Sequence, residues 1–452
     1  MNRILFAVCV VTVALMSYSV VAQGAGQETP EVTNPADRTQ LDPKASTDLT
    51  RSDKVLVNDA AAQNGNAAAK ANAAFEEKFD AYKSSLRDIE KLNVAYQSAN
   101  EADRAKLNEQ LTGEIAHAQS LVNDMVEAAA AAYRFSPNAD PRITELLVDV
   151  AKYYTVGRQI GPNLSGNPDD PYYPIDGGDQ YEKALPIIKL LIDNGAENKQ
   201  LYVWGFLAAY MTNNYDLADQ YMAKAKESGV LQEIASIVQK GKDAHEEAGL
   251  MELVLHLVAS CDGSYRELWK KEAEIRSAEE KADDLPRVKL TTTKGEITLE
   301  LFENQAPQSV ANFLTLVEQG FYDGSPFHRV LPKFMAQGGA KDDTGGGGPG
   351  YSIKCECDRP DARNHFRGSL SMAHAGRDTG SSQFFLTFIP TAHLNGRHTA
   401  FGRVIDGIEV LGDLQRRSPQ HQANLPPADK ILKAEVLRKR DHKYAFDKLP
   451  AR

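Results

Sequence analysis

The stretch Phe-His-Arg-Val-Leu-Pro-Lys-Phe-Met-Ala-Gln-Gly-Gly, residues 327–339, sets one arginine and one glutamine among large apolar side chains. A β-strand alternates its side chains between two faces, so Phe327, Arg329 and Leu331 would share one face until Pro332 ends the ladder. A partly shielded guanidinium needs a dipolar or anionic partner, and this stretch contains no carboxylate. The pattern predicts either a site in which Arg329 meets a ligand carbonyl or an edge-strand arginine that reaches water.

Two further stretches favour the site. Residues 368–387 read Gly-Ser-Leu-Ser-Met-Ala-His-Ala-Gly-Arg-Asp-Thr-Gly-Ser-Ser-Gln-Phe-Phe-Leu-Thr, and residues 391–398 read Thr-Ala-His-Leu-Asn-Gly-Arg-His, with Phe-Gly-Arg-Val following at 401–404. In this order and spacing the blocks resemble the cyclophilin family of peptidyl-prolyl cis-trans isomerases. The resemblance covers about residues 287–440, roughly a third of the chain. It implies a closed antiparallel β-barrel capped by two helices.

The chemistry of such an enzyme follows from the rotation barrier of the X-Pro amide. Partial double-bond character opposes rotation by about 18–20 kcal/mol, and the unaided exchange takes roughly tens to hundreds of seconds. Catalysis needs an apolar pocket for the proline ring and a donor that favours the twisted amide, without a nucleophile, metal or cofactor. The resemblance implies that Arg329 is this donor and that Gln337 orients it and the substrate. We therefore expect no cofactor and no metal site.

The resemblance also implies which residues contact the substrate. The proline pocket would consist of Phe334, Met335, Phe385, Leu394 and His398. The groove for the residues before proline, with an adjoining pocket, would consist of Ala373, His374, Ala375, Thr379 and Gln383. A purely structural alternative remains, because apolar side chains of this kind also fill ordinary cores and His398 could tie down a turn.

Two positions depart from the common pattern of the family. His374 stands where asparagine is usual, and His393 stands where many members have a tryptophan associated with tight cyclosporin binding. The contact at His374 would run largely through the backbone, so this residue would alter the preference of the groove. The change at His393 affects the expected drug sensitivity and leaves the expected isomerase activity unaltered.

Composition narrows the class of partner. The chain has 452 residues, of which 42% are apolar, and a net charge of −11. This length allows about two to four domains with substantial cores. An acidic chain lacks the basic footprint that nucleic acid requires, so we expect no nucleic-acid partner. Cys355 and Cys357 would share one face of a strand, but the sequence offers no further ligands at metal spacing beside them.

The first 66 residues contain the pattern of an export signal, followed by a polar segment. Residues 1–22 place Arg3 before an apolar run that ends in Val-Val-Ala, which is the pattern of a cleaved secretory signal peptide. The protein would then be periplasmic or secreted. An uncleaved membrane anchor is the alternative, and it is the only case in which we expect membrane contact. Residues 23–66 are polar and contain few large apolar side chains, which predicts a disordered linker.

Residues 67–285 predict an all-α region. Apolar residues at helical spacing indicate two long helices paired around a turn near residues 99–102. The motifs that begin at Tyr181 and Tyr215 lie 34 residues apart, so residues 179–242 resemble tetratricopeptide hairpins. Such hairpins would offer a concave face to a protein partner, or they would only support the catalytic domain. The charged segment 265–281 predicts a solvated connector helix.

Local patterns in the C-terminal third agree with the expected barrel. Alternation on both sides of a Lys-Gly turn predicts a β-hairpin over residues 288–302, and residues 307–318 predict a helix. A final helix and strand are expected near residues 408–414 and 430–437. The glycine run at residues 345–348 lacks the Lys-Ser/Thr of a phosphate-binding loop, and we interpret it as a mobile surface loop.

These patterns combine into a multidomain hypothesis. Its segments are a signal peptide at 1–22, a linker at 23–66, an α-helical region at 67–285, an isomerase domain at 286–442 and a tail at 443–452. The predicted function is isomerisation of X-Pro bonds in proline-containing polypeptides, which assists protein folding outside the cytoplasm. Two alternatives are a non-catalytic chaperone or scaffold that binds proline peptides, and an assembly module whose main activity lies in the helices.

Overall fold

The computed structural model describes residues 64–159, 175–240, 254, 262–419 and 425–451. The predicted signal peptide and the predicted linker up to residue 63 lie outside these ranges. Within them, every helix is either too short or too polar to cross a bilayer. Contacts divide the chain into two units, one ending at Ser136 and the other beginning at Pro137. The helices that follow Pro137 are therefore grouped with the β-sheet.

The first unit contains the two long helices that the sequence predicts. Helix α1 (Asn64–Ser98) packs against α2 (Glu101–Phe135). The chain turns at residues 99–100, where the Asn100 side chain accepts a hydrogen bond from the Asp103 amide and caps α2. Buried side chains at helical spacing, such as Phe75 and Tyr82, form the contact between the helices. The predicted helical pair is confirmed.

The second unit begins with further helices. In chain order its first elements are α3 (Pro141–Val156), the paired short strands β1 (Arg158–Gln159) and β2 (Ile175–Asp176), α4 (Tyr181–Asp193), α5 (Gln200–Met211), α6 (Tyr215–Glu227), α7 (Val230–Lys240) and α8 (Asp262–Ala282). Helix α5 is almost wholly buried and packs closely on α6, because a Cβ added at Gly205 would come within 2.8 Å of Tyr221. The helical region is confirmed, whereas its tetratricopeptide interpretation stays a prediction.

An antiparallel sheet follows. Its strands, with the helices between them, are β3 (Arg287–Thr292), β4 (Gly295–Leu301), α9 (Pro307–Glu318), β5 (Arg329–Leu331), β6 (Met335–Gly338), β8 (Ser369–Met372), β9 (Phe384–Thr387), β10 (Ala400–Asp406), α10 (Val410–Asp413) and β11 (Ile431–Arg438). The order across the sheet is β11-β3-β4-β10-β8-β9-β6-β5. Two short strands, β7 (Tyr351–Ser352) and β12 (Leu449–Pro450), pair separately.

The interior of the curled sheet is aromatic. Phe313 of α9 lies edge-on to Phe384 and Phe401, with ring centroids 5.6 and 5.4 Å apart. The predicted hairpin and the helix at 307–318 are confirmed, and α10 is shorter than the predicted 408–414. The antiparallel sheet of the expected barrel is confirmed. It is curled, with β11 and β5 at its edges. Closure of that sheet into a barrel stays a prediction.

Helix α8 is not the solvated connector that its charge pattern predicts. Glu272 and Glu279 are buried and accept hydrogen bonds from Arg363 of the loop before β8 at 2.7 and 2.6 Å. Arg403 of β10 donates to Glu279 at 2.8 Å. One face of α8 is therefore a docking surface. The prediction was wrong because a helical charge pattern does not reveal arginines contributed by distant strands.

The prediction for the cysteine pair was also wrong. Cys355 and Cys357 lie in a loop that follows β7, rather than on one face of a strand. The Asp378 carboxylate accepts the Cys355 amide at 2.8 Å, and the Asp378 amide donates to Cys355 Sγ at 3.2 Å. The Cys355 amide, which would donate to a neighbouring strand if β7 continued, donates to the Asp378 side chain instead. Both thiols are free.

A second docking contact holds the loop before α4 against the sheet. Asp179 is buried, and its carboxylate accepts from the Lys333 amide and from Arg416 Nη2, both at 3.1 Å. Arg367 forms two parallel hydrogen bonds of 2.7 Å with Glu182 at the start of α4. A third donor of Arg367 reaches the Asp179 carbonyl at 2.7 Å. Residues outside the sheet thus fix the β5–β6 turn, which carries part of the candidate site.

Candidate active site

The centre of the site is the hairpin formed by β5 and β6. Arg329 lies directly opposite Gln337, and Gln337 in turn lies opposite Phe385 of β9. Antiparallel partners project from the same face, so these three side chains are brought together by register alone. Strand β5 begins at Arg329 and ends at Leu331, before Pro332, so the predicted alternation applies to these three residues and not to Phe327.

The face of this hairpin borders a cavity of about 600 Å³. Of the thirteen residues that the sequence predicts for the site, the twelve that line it are Arg329, Phe334, Met335, Gln337, Ala373, His374, Ala375, Thr379, Gln383, Phe385, Leu394 and His398. His393 does not line the cavity, and its ring lies 5.7 Å from the Phe334 ring, on which it packs. The sequence-predicted residues therefore converge on one place, although their roles stay predictions.

Among the described residues, the Arg329 guanidinium has more hydrogen-bond donors than partners. Its side chain is half-buried, and its Nε atom is buried without a hydrogen-bond partner among the residues that the structure describes. The contact from Nη1 to Gln337 Oε1 is 3.5 Å, which is at the limit of a hydrogen bond. Burial lowers the pKa of Arg329 from its usual value. A guanidinium so placed gains most from a carbonyl or amide group brought by a ligand.

A chain of amide hydrogen bonds orients Gln337. Its Nε2 donates to Gln383 Oε1 at 2.9 Å, and Gln383 Nε2 donates to the Gly345 carbonyl at 2.8 Å. Gln337 Oε1 is consequently turned towards Arg329. The glycine run at residues 345–348, interpreted from sequence as a surface loop, supplies the end of this chain.

The apolar part of the cavity comes from one face of the alternating strands β6 and β9. Phe385 and Met335 line the cavity and are 5% and 2% exposed, while Phe384 is fully buried in the core. The predicted division between Phe385 and Phe384 is confirmed. His398 meets the Phe385 ring edge-on at 5.5 Å. These apolar side chains and the Arg329 guanidinium therefore line the same cavity.

Two histidines stack at the wall of the cavity. The His374 and His398 rings are nearly parallel, with centroids 4.0 Å apart. His398 Nδ1 donates to the Met372 carbonyl at 3.0 Å, and His374 Nε2 donates to the Arg397 carbonyl at 2.8 Å. Burial, followed by the proximity of His374 and His393, lowers the pKa of His398. The His398 ring therefore both ties down the backbone at Met372 and lines the cavity. The structural role and the pocket role that the sequence leaves open are compatible.

His365 supports the pocket from behind. Its ring is parallel to that of Phe385 at 6.1 Å, and its nitrogens lie 2.8 Å from Ser371 Oγ and 3.0 Å from Asn395 Oδ1. Burial lowers its pKa to about 4 despite the Asn395 contact. The ring is therefore neutral at neutral pH and holds Phe385 without adding charge to the site.

The sequence interpretation missed part of the cavity wall. The additional lining residues are Gly348, Gly350, Tyr351, Ser352, Ser381 and Ala451. The glycine run is the signal that could have indicated the first two, because glycine permits close approach of a ligand to the backbone. Nothing in the local sequence points to Ala451, since its position depends on a long-range pairing.

Comparison with known proteins agrees with this geometry. The model of the family described as cyclophilin type peptidyl-prolyl cis-trans isomerase/CLD matches residues 287–436. A peptidyl-prolyl cis-trans isomerase of Helicobacter pylori (strain ATCC 700392 / 26695) is 50% identical over 147 residues, which are 31% of this chain and 90% of that protein. Peptidyl-prolyl cis-trans isomerase B of Bacillus subtilis (strain 168) is 55% identical over 118 residues, 26% of this chain and 82% of that protein.

The chain is also similar to solved structures. A cyclophilin-type isomerase of Cryptosporidium parvum, crystallised in the presence of the dipeptide Ala-Pro, is 33% identical, with a TM-score of 0.31, and the match covers 33% of this chain and 98% of that one. The site geometry, the family model and relatives matched over most of their own length lead to one conclusion. The chain belongs to the cyclophilin-type peptidyl-prolyl cis-trans isomerases.

Proposed function

We propose that Arg329 is the catalytic donor of this isomerase. The observation that supports this role is the half-buried guanidinium, whose Nε has no partner among the described residues, at a cavity of about 600 Å³ that Phe385 and Met335 also line. As the X-Pro amide twists, its nitrogen becomes pyramidal and gains a lone pair. A donor that meets this lone pair stabilises the twisted state more than either planar isomer, which is the condition for catalysis.

We propose that the other predicted residues hold the two ends of the turning bond. Phe334, Met335, Phe385, Leu394 and His398 hold the proline ring, and Gln337 positions the adjacent carbonyl. The backbone of residues 373–375 holds the chain before proline, while Thr379 and Gln383 border the next subsite. One end is then fixed in an apolar pocket and the other in a polar groove, so that rotation is confined to the bond between them.

The physiological role is a further proposal. We infer that the enzyme acts on folding polypeptides outside the cytoplasm, because residues 1–22 carry the pattern of a secretory signal and the chemistry is not tied to one substrate. A fusion of residues 1–66 to alkaline phosphatase tests the location. Activity in the periplasm or medium is expected, and activity confined to the cytoplasm would refute export.

The helices preceding the sheet would provide a surface for a protein partner. Closure of the sheet into a barrel is supported by hydrogen bonds between its edge segments, from the Phe327 amide to the Asp429 carbonyl at 2.8 Å and from the Ile431 amide to the Ser325 carbonyl at 2.9 Å. A closed barrel leaves the mouth near β5 and β6 as the route to the pocket.

The decisive experiment measures the cis-to-trans rate of an Ala-Pro peptide with the parent protein and with Arg329→Ala. We expect the parent to accelerate the exchange and the variant to lose about 100- to 1,000-fold in kcat/KM, the effect of removing one transition-state donor. Arg377→Ala is the matched control, because Arg377 is 63% exposed and pairs with Asp358. Full activity of Arg329→Ala would overturn the assignment, and peptide binding without turnover by the parent would favour the scaffold alternative.

A further inference from the structure

Residues 443–451, called here the rim segment, lie outside the part of the chain that the family model matches, residues 287–436, and contribute Ala451 to the lining of the cavity. Within the segment, β12 pairs antiparallel with β7, so that Leu449 lies opposite Ser352 and Pro450 opposite Tyr351. Ala451, the next residue, lines the same cavity as Arg329. One wall of the site is thus supplied from a distant part of the sequence.

Side-chain contacts fix the rim segment on this wall. The Phe446 and Tyr351 rings lie 5.7 Å apart, and Lys448 Nζ lies 4.4 Å from the centroid of the Tyr351 ring. The Asp447 amide donates to Gln308 Oε1 of α9 at 2.7 Å. Aromatic, cation–π and backbone contacts therefore act together on a strand that would otherwise be a free edge.

Tyr351 links the rim segment to the substrate side of the cavity. Its hydroxyl donates to Asn312 Oδ1 at 2.8 Å, and Asn312 Nδ2 donates to the Ser381 carbonyl at 2.6 Å. Ser381 lies two residues after Thr379 and two before Gln383, which border the proposed subsite for residues before proline. Ile353, the residue after β7, also bridges to Gly380, with its amide donating to the Gly380 carbonyl at 2.8 Å, so β7 and the rim segment paired with it lie beside that subsite.

The cavity wall beside this subsite is short of side chains, and a Cβ added at Gly348 would lie 3.5 Å from Ser381 Oγ. Gly348 and Gly350 line the cavity with backbone alone, so Ala451 supplies the methyl group that narrows it. Pro450, whose ring fixes φ, holds the adjacent backbone stiffly. The pairing with β7 restrains the backbone next to Ala451, so part of the cost of accommodating a large side chain falls on substrate binding.

We propose that the rim segment is a specificity element that selects small residues ahead of the X-Pro bond. This inference rests on the proposed function of the same cavity. It assigns no chemistry to the segment. Peptides with a bulky side chain two positions before proline clash with the wall, whereas peptides with glycine there do not.

The test compares kcat/KM for peptides X-Ala-Pro-Phe with X as glycine, leucine or tryptophan. For the full chain we expect glycine to be preferred over tryptophan by about tenfold, the scale on which a pocket discriminates by size. Removal of residues 443–452 should reduce this preference to about twofold. If truncation changes kcat/KM for all peptides by the same factor, the segment only competes with substrates for the cavity. If truncation changes kcat/KM for none of them, the segment does not touch the substrate. Either result overturns the proposal.

A matched pair of substitutions keeps the test independent of truncation. Ala451→Trp adds bulk at the cavity and should sharpen the preference for glycine by about tenfold. Ala445→Trp adds the same bulk at an exposed position of the rim segment away from the cavity and should leave the preference unaltered. Equal effects of the two variants would refute the proposal. A parent inactive on every peptide would instead refute the proposed function, so the two failures are distinguishable.

Discussion

At the scale of single residues, the site depends on charge placed next to apolar surface. Among the described residues Arg329 Nε has no hydrogen-bond partner, and burial lowers the pKa values of His365 and His398 beside Phe385. Neutral rings allow the pocket to accept proline without a competing charge. A proton added to any of these rings would therefore alter both stability and binding.

His365 makes folding stability depend on pH. Its pKa in the folded protein is about 4, below the ordinary 6.5, so the unfolded chain binds the proton more readily. The stabilisation is fully present above about pH 6.5 and is lost as the pH falls towards 4, by at most about 3 kcal/mol at 1.36 kcal/mol per pH unit. Urea denaturation of the parent and of His365→Gln at pH 7 and 4.5 measures it. We expect a smaller loss in the variant, and equal losses would contradict the prediction.

His398 should make catalysis depend on pH in the same direction. Burial, with His374 and His393 nearby, lowers its pKa, so the ring becomes charged at a lower pH than an ordinary histidine does. The charge would then lie against the Phe385 ring and oppose proline binding. We expect kcat/KM for an Ala-Pro peptide to fall on acidification, chiefly through KM. A flat profile in a variant with His398→Gln, beside the falling profile of the parent, is the confirming result.

At the scale of elements, the helices preceding the sheet are part of the isomerase architecture. The carboxylate of Asp179 reaches both the β5–β6 turn and Arg416, and Arg367 is bound by Glu182. In a separate contact, α8 supplies Glu272 and Glu279 to Arg363. Buried pairs of this kind contribute little net stability as pairs, but losing one partner leaves the other buried and uncompensated.

Asp179→Asn tests this consequence. The substitution keeps the size of the side chain and removes its charge, so Arg416 remains buried without its carboxylate. We expect the free energy of unfolding in urea to fall by about 3 kcal/mol. Asp413→Asn is the control, since Asp413 pairs with Lys183 in a contact whose side chains are 39% and 32% exposed, and should cost less than about 1 kcal/mol. A similar loss in both variants would show that the Asp179 contact is not special.

The limits of sequence interpretation lie at this scale. Strand alternation and spaced motifs predicted Arg329, Gln337 and Phe385, because residues close in sequence or in register determine their own placement. Neither the Asp179–Arg416 contact nor the place of Ala451 is local. Their partners lie far away along the chain, and periodicity carries no information about which distant side chain a charge will meet.

At the scale of the whole molecule, helices α3 to α8 and the sheet form one unit that begins at Pro137. The match to the Helicobacter pylori relative covers 90% of that protein but only 31% of this chain. The relative therefore consists almost entirely of the isomerase domain. We expect residues 286–442 of this protein alone to melt at a lower temperature than residues 137–452, because the shorter piece lacks the contacts of α4 and α8. Equal melting temperatures would show that the helices do not stabilise the domain.

The arginines that bind α4 and α8 have a consequence for how an excised domain behaves on a column. Among the described residues, the carboxylates that pair with Arg363, Arg367 and Arg416 all precede the sheet, in α8, in α4 and, for Asp179, in the loop that leads into α4. Without those helices, three guanidinium groups would face the solvent and focus a positive potential. The excised domain should therefore be retained by immobilised heparin and eluted by salt, whereas residues 137–452 should pass through. Removing the helices would give a small enzyme that adheres to any polyanion it meets.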